Sequence, residues 1–279
     1  MVTLSAAALA PFPRIARYNS PYTAHRDGRA IDLYPGTDRA PSPVAGTVVR
    51  TERMRAPSRP YAAEHDHLIV IDTGSELARL LHVDPAVEPG ATVERGDPIG
   101  DLVQSGYFAP WVDNHVHLGF REYGTDPVRA SGSLPVALDV SVDGVPWDGT
   151  GTVREVGETY AVLDQPTHPA AGDRFVGIAD DAGQVVFDGG VPHYETGGVH
   201  SFDGDRPPGE RATLLGTDLA VGTGTVEWAD VPVLVDGRPI TGLSFLLERD
   251  GLGAKLICPD RSFAVGESVA VEIDPVSET

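Results

Sequence analysis

Apolar positions in the first half of the chain fall in short runs, AIDLYPG, GTVVRT, HLIVIDTG, LARLLHVD, DPIGDLV and HVHLGF, punctuated by Gly and Pro. Such runs between turn-forming residues predict β-strands. No stretch there holds the longer period of an amphipathic helix. After YGTDPVRASGSLP, residues 123–135, the pattern changes to ALDVSVDGVPW, TYAVLD, FVGIAD and QVVFDGG. Because Pro, Gly and Ser cluster at that change without apolar periodicity, two domains are expected, residues 1–130 and 131–279, each able to hold a core. The expected fold class is all-β: a small antiparallel sheet or barrel-sandwich domain with a groove, then a second all-β domain, a sandwich or small barrel.

Two echoes, VSVDGVP at 140–146 and VLVDGRP at 233–239, place Asp-Gly between β-branched residues, the signature of a two-residue hairpin turn. Their order relative to the GTGTV segments at 149 and 222 is reversed, so they reflect shared turn chemistry and not a tandem repeat.

Charge narrows the partners. The formal net charge is −20, and among the 21 basic residues the single lysine is Lys255. This excess repels phosphate backbones and anionic lipid surfaces, which argues against nucleic acid and membrane partners and for an acidic, salt-adapted surface. No apolar run approaches the roughly 20 residues of a membrane-spanning helix, and MVTLSAAALAPFPRIAR has no basic residue ahead of its alanine-rich patch. A cytoplasmic location is therefore expected. Cys258, the single cysteine, excludes an intramolecular disulfide and a multi-cysteine zinc knuckle.

Candidate chemistry sits in DNHVHLGF, residues 113–120. On a strand, residues i and i+2 share a face with Cα atoms roughly 6.6 Å apart, so His115 and His117 can address one site. Both can bind one metal, or one can bind while the other reaches its water or substrate. A second H-x-H, HDH at His65 and His67, shows that the spacing alone does not decide. Upstream, AHRDGRAIDLYPG offers His25 and Asp32, and LLHVDPAVEPGATVERGDPIG offers His82.

In this order the elements resemble the lysostaphin-like (LytM-type) zinc endopeptidases over about residues 20–122. The shared parts are a His and an Asp opening a G-I-D-style strand, a G-x-V strand, a His after an apolar strand, a V-x-x-G-d-x-I-G turn and a closing H-x-H. The resemblance implies zinc held by His25, Asp32 and His117, with His82 and His115 as the catalytic pair. A catalytic zinc takes three N or O protein ligands and keeps a place for water, whose pKa it brings near 7. The implied reaction is hydrolysis of an amide bond in a peptide or protein substrate. His115 would orient or deprotonate water, and His82 would stabilise the oxyanion or protonate the leaving amine, with some exchange of roles open. This chain departs from the family in three places: His25 and Asp32 stand seven apart where four is usual, Leu80 and Leu81 precede His82 where an aromatic is common, and Leu118 and Gly119 follow the H-x-H. Gly28 would allow a tight loop between His25 and Asp32, and Asp27 is an alternative ligand.

The remaining histidines have plainer readings: His65 and His67 as exposed strand-edge residues, His168, His193 and His200 as surface-loop residues. Trp111 could wall a substrate groove. Lipoyl or biotinyl carriers share the glycine-turned strands but need a lysine that the first domain lacks. The rival function is a catalytically silent binding or scaffolding module that keeps the groove.

Overall fold

The computed structural model describes residues 1–129, 131–201 and 209–274. The chain falls into two compact units, Met1–Ile15 with Asp27–Val140, and Ala16–Arg26 with Ser141–Thr279. The linker reading centred on Ala130, a residue outside those described; the units divide at 140/141, and the second also takes in Ala16–Arg26.

All six apolar runs of the first half form strands. Within the first unit the main sheet runs Ala30–Tyr34, Val116–Arg121, Leu77–Leu81, His65–Asp72, Gly46–Arg55, Thr92–Val93, every pair antiparallel. Leu68, Ile69, Val70 and Ile71 are all fully buried, which means that the sheet is covered on both faces there and explains an unbroken LIVI run in place of alternation. A small antiparallel sheet joins Arg39–Pro41, Pro98–Leu102 and Val83–Pro85. Gly100 belongs to this sheet because a Cβ would overlap the Asp84 carbonyl, so the glycine of the VERGDPIG turn is fixed by close backbone approach.

The second unit contains an antiparallel series, Gly224–Glu227, Thr196–Ser201, Val185–Val191, Gly242–Phe245, Lys255–Ile257, Tyr160–Leu163, Thr150–Val156, Ser268–Ile273, Val233–Val235, Arg238–Ile240. Its core gathers Trp147, Phe187, Trp228, Phe245 and Leu256. Cys258 is buried and burial pushes its thiol up to about 11, as suits a small apolar side chain.

The all-β expectation holds, with two refinements: the sheets are open, not barrels, and not every pair is antiparallel. Val2–Ser5 pairs in parallel with Val136–Asp139, and Val142–Val145 with Phe175–Ile178. The latter overturns one expected turn. Asp143 and Gly144 lie within a strand, where Asp143 meets Arg174 at 2.7 Å. The other echo is a hairpin as expected, with Asp236 at φ 49° and Gly237 at φ 71°. Among the described residues helix is confined to short turns such as Thr23–Arg26. Among the described residues no helix is long and apolar enough to cross a membrane.

Candidate metal centre

Register creates the centre. His117 stands directly opposite Asp32 on neighbouring antiparallel strands. Opposed residues project to the same face, and here His117 Nδ1 lies 3.0 Å from Asp32 Oδ1. Val116 and Leu118, on the other face, are fully buried and lock that register, because a one-residue slip would turn both into the site. His115, just before the strand, places Nε2 at 3.4 Å from the same Asp32 oxygen, while its Nδ1 lies 2.8 Å from the Asp113 carbonyl. A carbonyl only accepts, so Nδ1 carries the proton and Nε2 keeps its lone pair.

His25 lies on the Thr23–Arg26 turn and is 2% exposed. Its Nδ1 sits 2.7 Å from the Arg17 carbonyl, which by the same reasoning leaves Nε2 as the lone-pair nitrogen. One ligand atom from each of His25, Asp32 and His117 lies within 4.8 Å of the others. Gly28 takes φ 63°, the turn expected between His25 and Asp32. Asp27, the alternative ligand, is exposed and faces Arg29 at 3.7 Å, and it does not join this group. Two imidazoles and one carboxylate suit zinc, and a backbone carbonyl on the far nitrogen of a ligating histidine is the usual outer support.

His82 arrives at the end of the Leu77–Leu81 strand with φ 67°, an uncommon backbone for a residue with a side chain. Asp66 holds it there. The carboxylate receives the His82 backbone N–H at 3.0 Å on Oδ1 and Nδ1–H at 2.7 Å on Oδ2, while His67 N–H and the Ser105 hydroxyl donate at 2.7 and 2.9 Å. Burial pushes the Asp66 pKa up, yet the neighbouring His82 and these hydrogen bonds outweigh it and leave the carboxyl below its ordinary value.

The rings then close together. His82 and His115 centroids lie 5.1 Å apart, His82 and His117 5.8 Å, and Phe108 packs on His115 at 4.6 Å and on His82 at 5.1 Å. The structure thus gathers His82, Asp32, His115 and His117 around one centre. Sequence reading missed Asp66, Ser105 and Phe108. It took HDH for its histidines, whereas the middle residue, pointing to the opposite face, is the one that reaches His82. His65 and His67 pair on one side only, with Arg55 and Arg53, as the strand-edge reading expected, but they are half-buried and not exposed: His65 Nδ1 is 2.8 Å from Arg53 Nη2, and His67 Nδ1 is 3.6 Å from Asp84.

Residues 3–138 match the N-terminal domain, and residues 143–274 the C-terminal domain, of DUF8155, described as a domain of unknown function. The chain belongs to the DUF8155 family. All five expected site residues, together with Asp66 and Ser105, fall within the DUF8155 N-terminal match. No curated protein matches the chain. Among solved structures, a chain of "Structure of the SpoIIQ-SpoIIIAH pore forming complex" aligns at 21% identity over 40% of this DUF8155 protein and 66% of that chain, with a TM-score of 0.24, too low to carry an argument.

Proposed function

We propose that this DUF8155 protein is a zinc-dependent hydrolase of peptide amide bonds, with His25, Asp32 and His117 as the metal ligands and His82 and His115 as the proton-handling pair. The observation that carries the reading is orientation: His25, His82 and His115 each have Nδ1 satisfied by an acceptor, which turns Nε2 to the working side. A degenerate groove has no need of this fixing, least of all of a fully buried carboxylate behind His82.

Bound there, zinc would supply Lewis-acid polarisation of the carbonyl and acidify water. His115 Nε2 takes a proton from the attacking water as the new C–O bond forms. His82, carrying a proton on Nε2 while Asp66 holds its Nδ1–H, gives that Nε2 proton to the amine as the C–N bond breaks, releasing the amine and a carboxylic acid that yields its proton to the amine; His115 then returns its proton to solvent and His82 takes one up, which resets the pair. Phe108, packed on both rings, helps keep bulk water from them.

The test compares wild type with His82→Ala and His115→Ala on a mixed peptide library at high salt, with zinc content measured alongside. The expected result is retained zinc and cleavage slowed by about 10²–10⁴-fold. If zinc is retained and wild type cuts nothing faster than the variants, the binding-module reading takes its place.

A further inference from the structure

His25 belongs to a segment, Ala16–Arg26, whose packing lies in the second unit. Asp188, fully buried on the Val185–Val191 strand, receives the Arg17 backbone N–H on Oδ2 at 2.8 Å and the Tyr18 N–H on Oδ1 at 3.4 Å. His200 Nε2 approaches the same Oδ2 at 3.0 Å. Directly opposite Asp188 in the antiparallel register stands Gly198, so the two share a face. A Cβ on Gly198 would overlap the Tyr18 ring. Further along, Asn19 Nδ2 donates to Ser244 Oγ at 3.1 Å, and Thr225 Oγ1 donates to the Arg26 carbonyl. The peptide between Arg17 and Tyr18 thus has its N–H held by Asp188 at 3.4 Å, while its carbonyl receives His25 Nδ1–H at 2.7 Å.

We infer that Asp188 is a positioning residue for the metal ligand His25, acting by setting the Arg17 carbonyl that orients that imidazole. The inference rests on the reading of His25 as a zinc ligand. An outer partner of this kind fixes which imidazole nitrogen carries the lone pair and where it points. It acts here through one backbone peptide. The carboxylate is specifically required because it only accepts: an asparagine would turn an NH₂ toward one of the three donors around it. Sequence reading had placed His200 in a surface loop, but it lies on the Thr196–Ser201 strand and forms part of this seat.

The experiment measures the zinc dissociation constant of the full chain by competition with a chromophoric chelator, folding being checked by thermal denaturation, for wild type, Asp188→Asn, Gly198→Ala, Thr225→Val and Val185→Ala. Asp188→Asn and Gly198→Ala should weaken zinc binding by about 10–100-fold. Val185→Ala removes core volume from the same strand without touching the segment, and should leave zinc affinity unchanged. Folded Asp188→Asn and Gly198→Ala chains that bind zinc like wild type overturn the inference, as does an equal loss in Val185→Ala. If those two variants do not fold, Thr225→Val, at an exposed position, decides: weakened binding supports the role and unchanged binding overturns it. A wild type that binds no zinc removes the metal reading itself, whereas intact wild-type binding with unaffected variants removes only the part played by Asp188.

Discussion

Asp66 and His82 meet twice: one carboxylate oxygen accepts the His82 backbone N–H at 3.0 Å and the other its imidazole Nδ1–H at 2.7 Å. Backbone and ring are therefore fixed by one side chain, in a position where His82 holds φ 67°. Removing the carboxylate orphans four donors, those of His67, His82 (two) and Ser105. Asp66→Ala should cost about 3–5 kcal/mol of stability, read by chemical denaturation. A loss below 1 kcal/mol would show that water replaces the carboxylate without penalty.

The same carboxylate predicts an acid limit. Its folded pKa lies below the ordinary 3.8, so its contribution is present above that value and is lost as pH falls below it toward the lower folded value. Stability measured against pH in constant salt should fall through this range in wild type. The Asp66→Asn slope there should be shallower; an identical slope in both would assign the acid sensitivity elsewhere.

Much of the fold was legible because turn residues cut the strands so regularly. The nearness of the proposed site residues was legible in part, for His115 and His117 share a face by strand period alone, and the structure places Asp32 opposite His117. Asp66 was not, because nothing local shows that HDH begins a strand whose middle residue is buried and reaches a distant loop. Nor was Asp188, in QVVFDGG, where Asp-Gly reads as a turn. There the strand continues because every residue of Val185–Val191 is buried, Val185–Asp188 pairing with Thr196–Ser201 and Gly189–Val191 with Gly242–Phe245. Tertiary context overrides the Asp-Gly signal there.

Two buried arginines give a third prediction. Arg121 donates to Phe120 O at 3.2 Å, Arg129 O at 3.0 Å and the Ser133 hydroxyl, whereas Arg79 donates to Pro127 O at 2.9 Å. Burial, then the charge of Arg121, pushes the Arg79 pKa down to about 10. Arg121→Met should therefore cost about 1–3 kcal/mol and Arg79→Met less. The reverse order in denaturant midpoints would contradict this assignment.

Gly100→Ala tests the glycine turn of VERGDPIG. Its Cβ would overlap the Asp84 carbonyl across the small sheet. Separating those strands should cost about 1–3 kcal/mol, visible as a lower denaturation midpoint. An unchanged midpoint would mean that the strands part freely.

In the proposed centre, His25, Asp32 and His117 converge on one ion. Zinc content of chain purified at high salt measures it directly: about one zinc per wild-type chain and none in folded His117→Ala is the predicted result. A wild type without zinc, or a folded His117→Ala chain that retains it in full, would contradict the account.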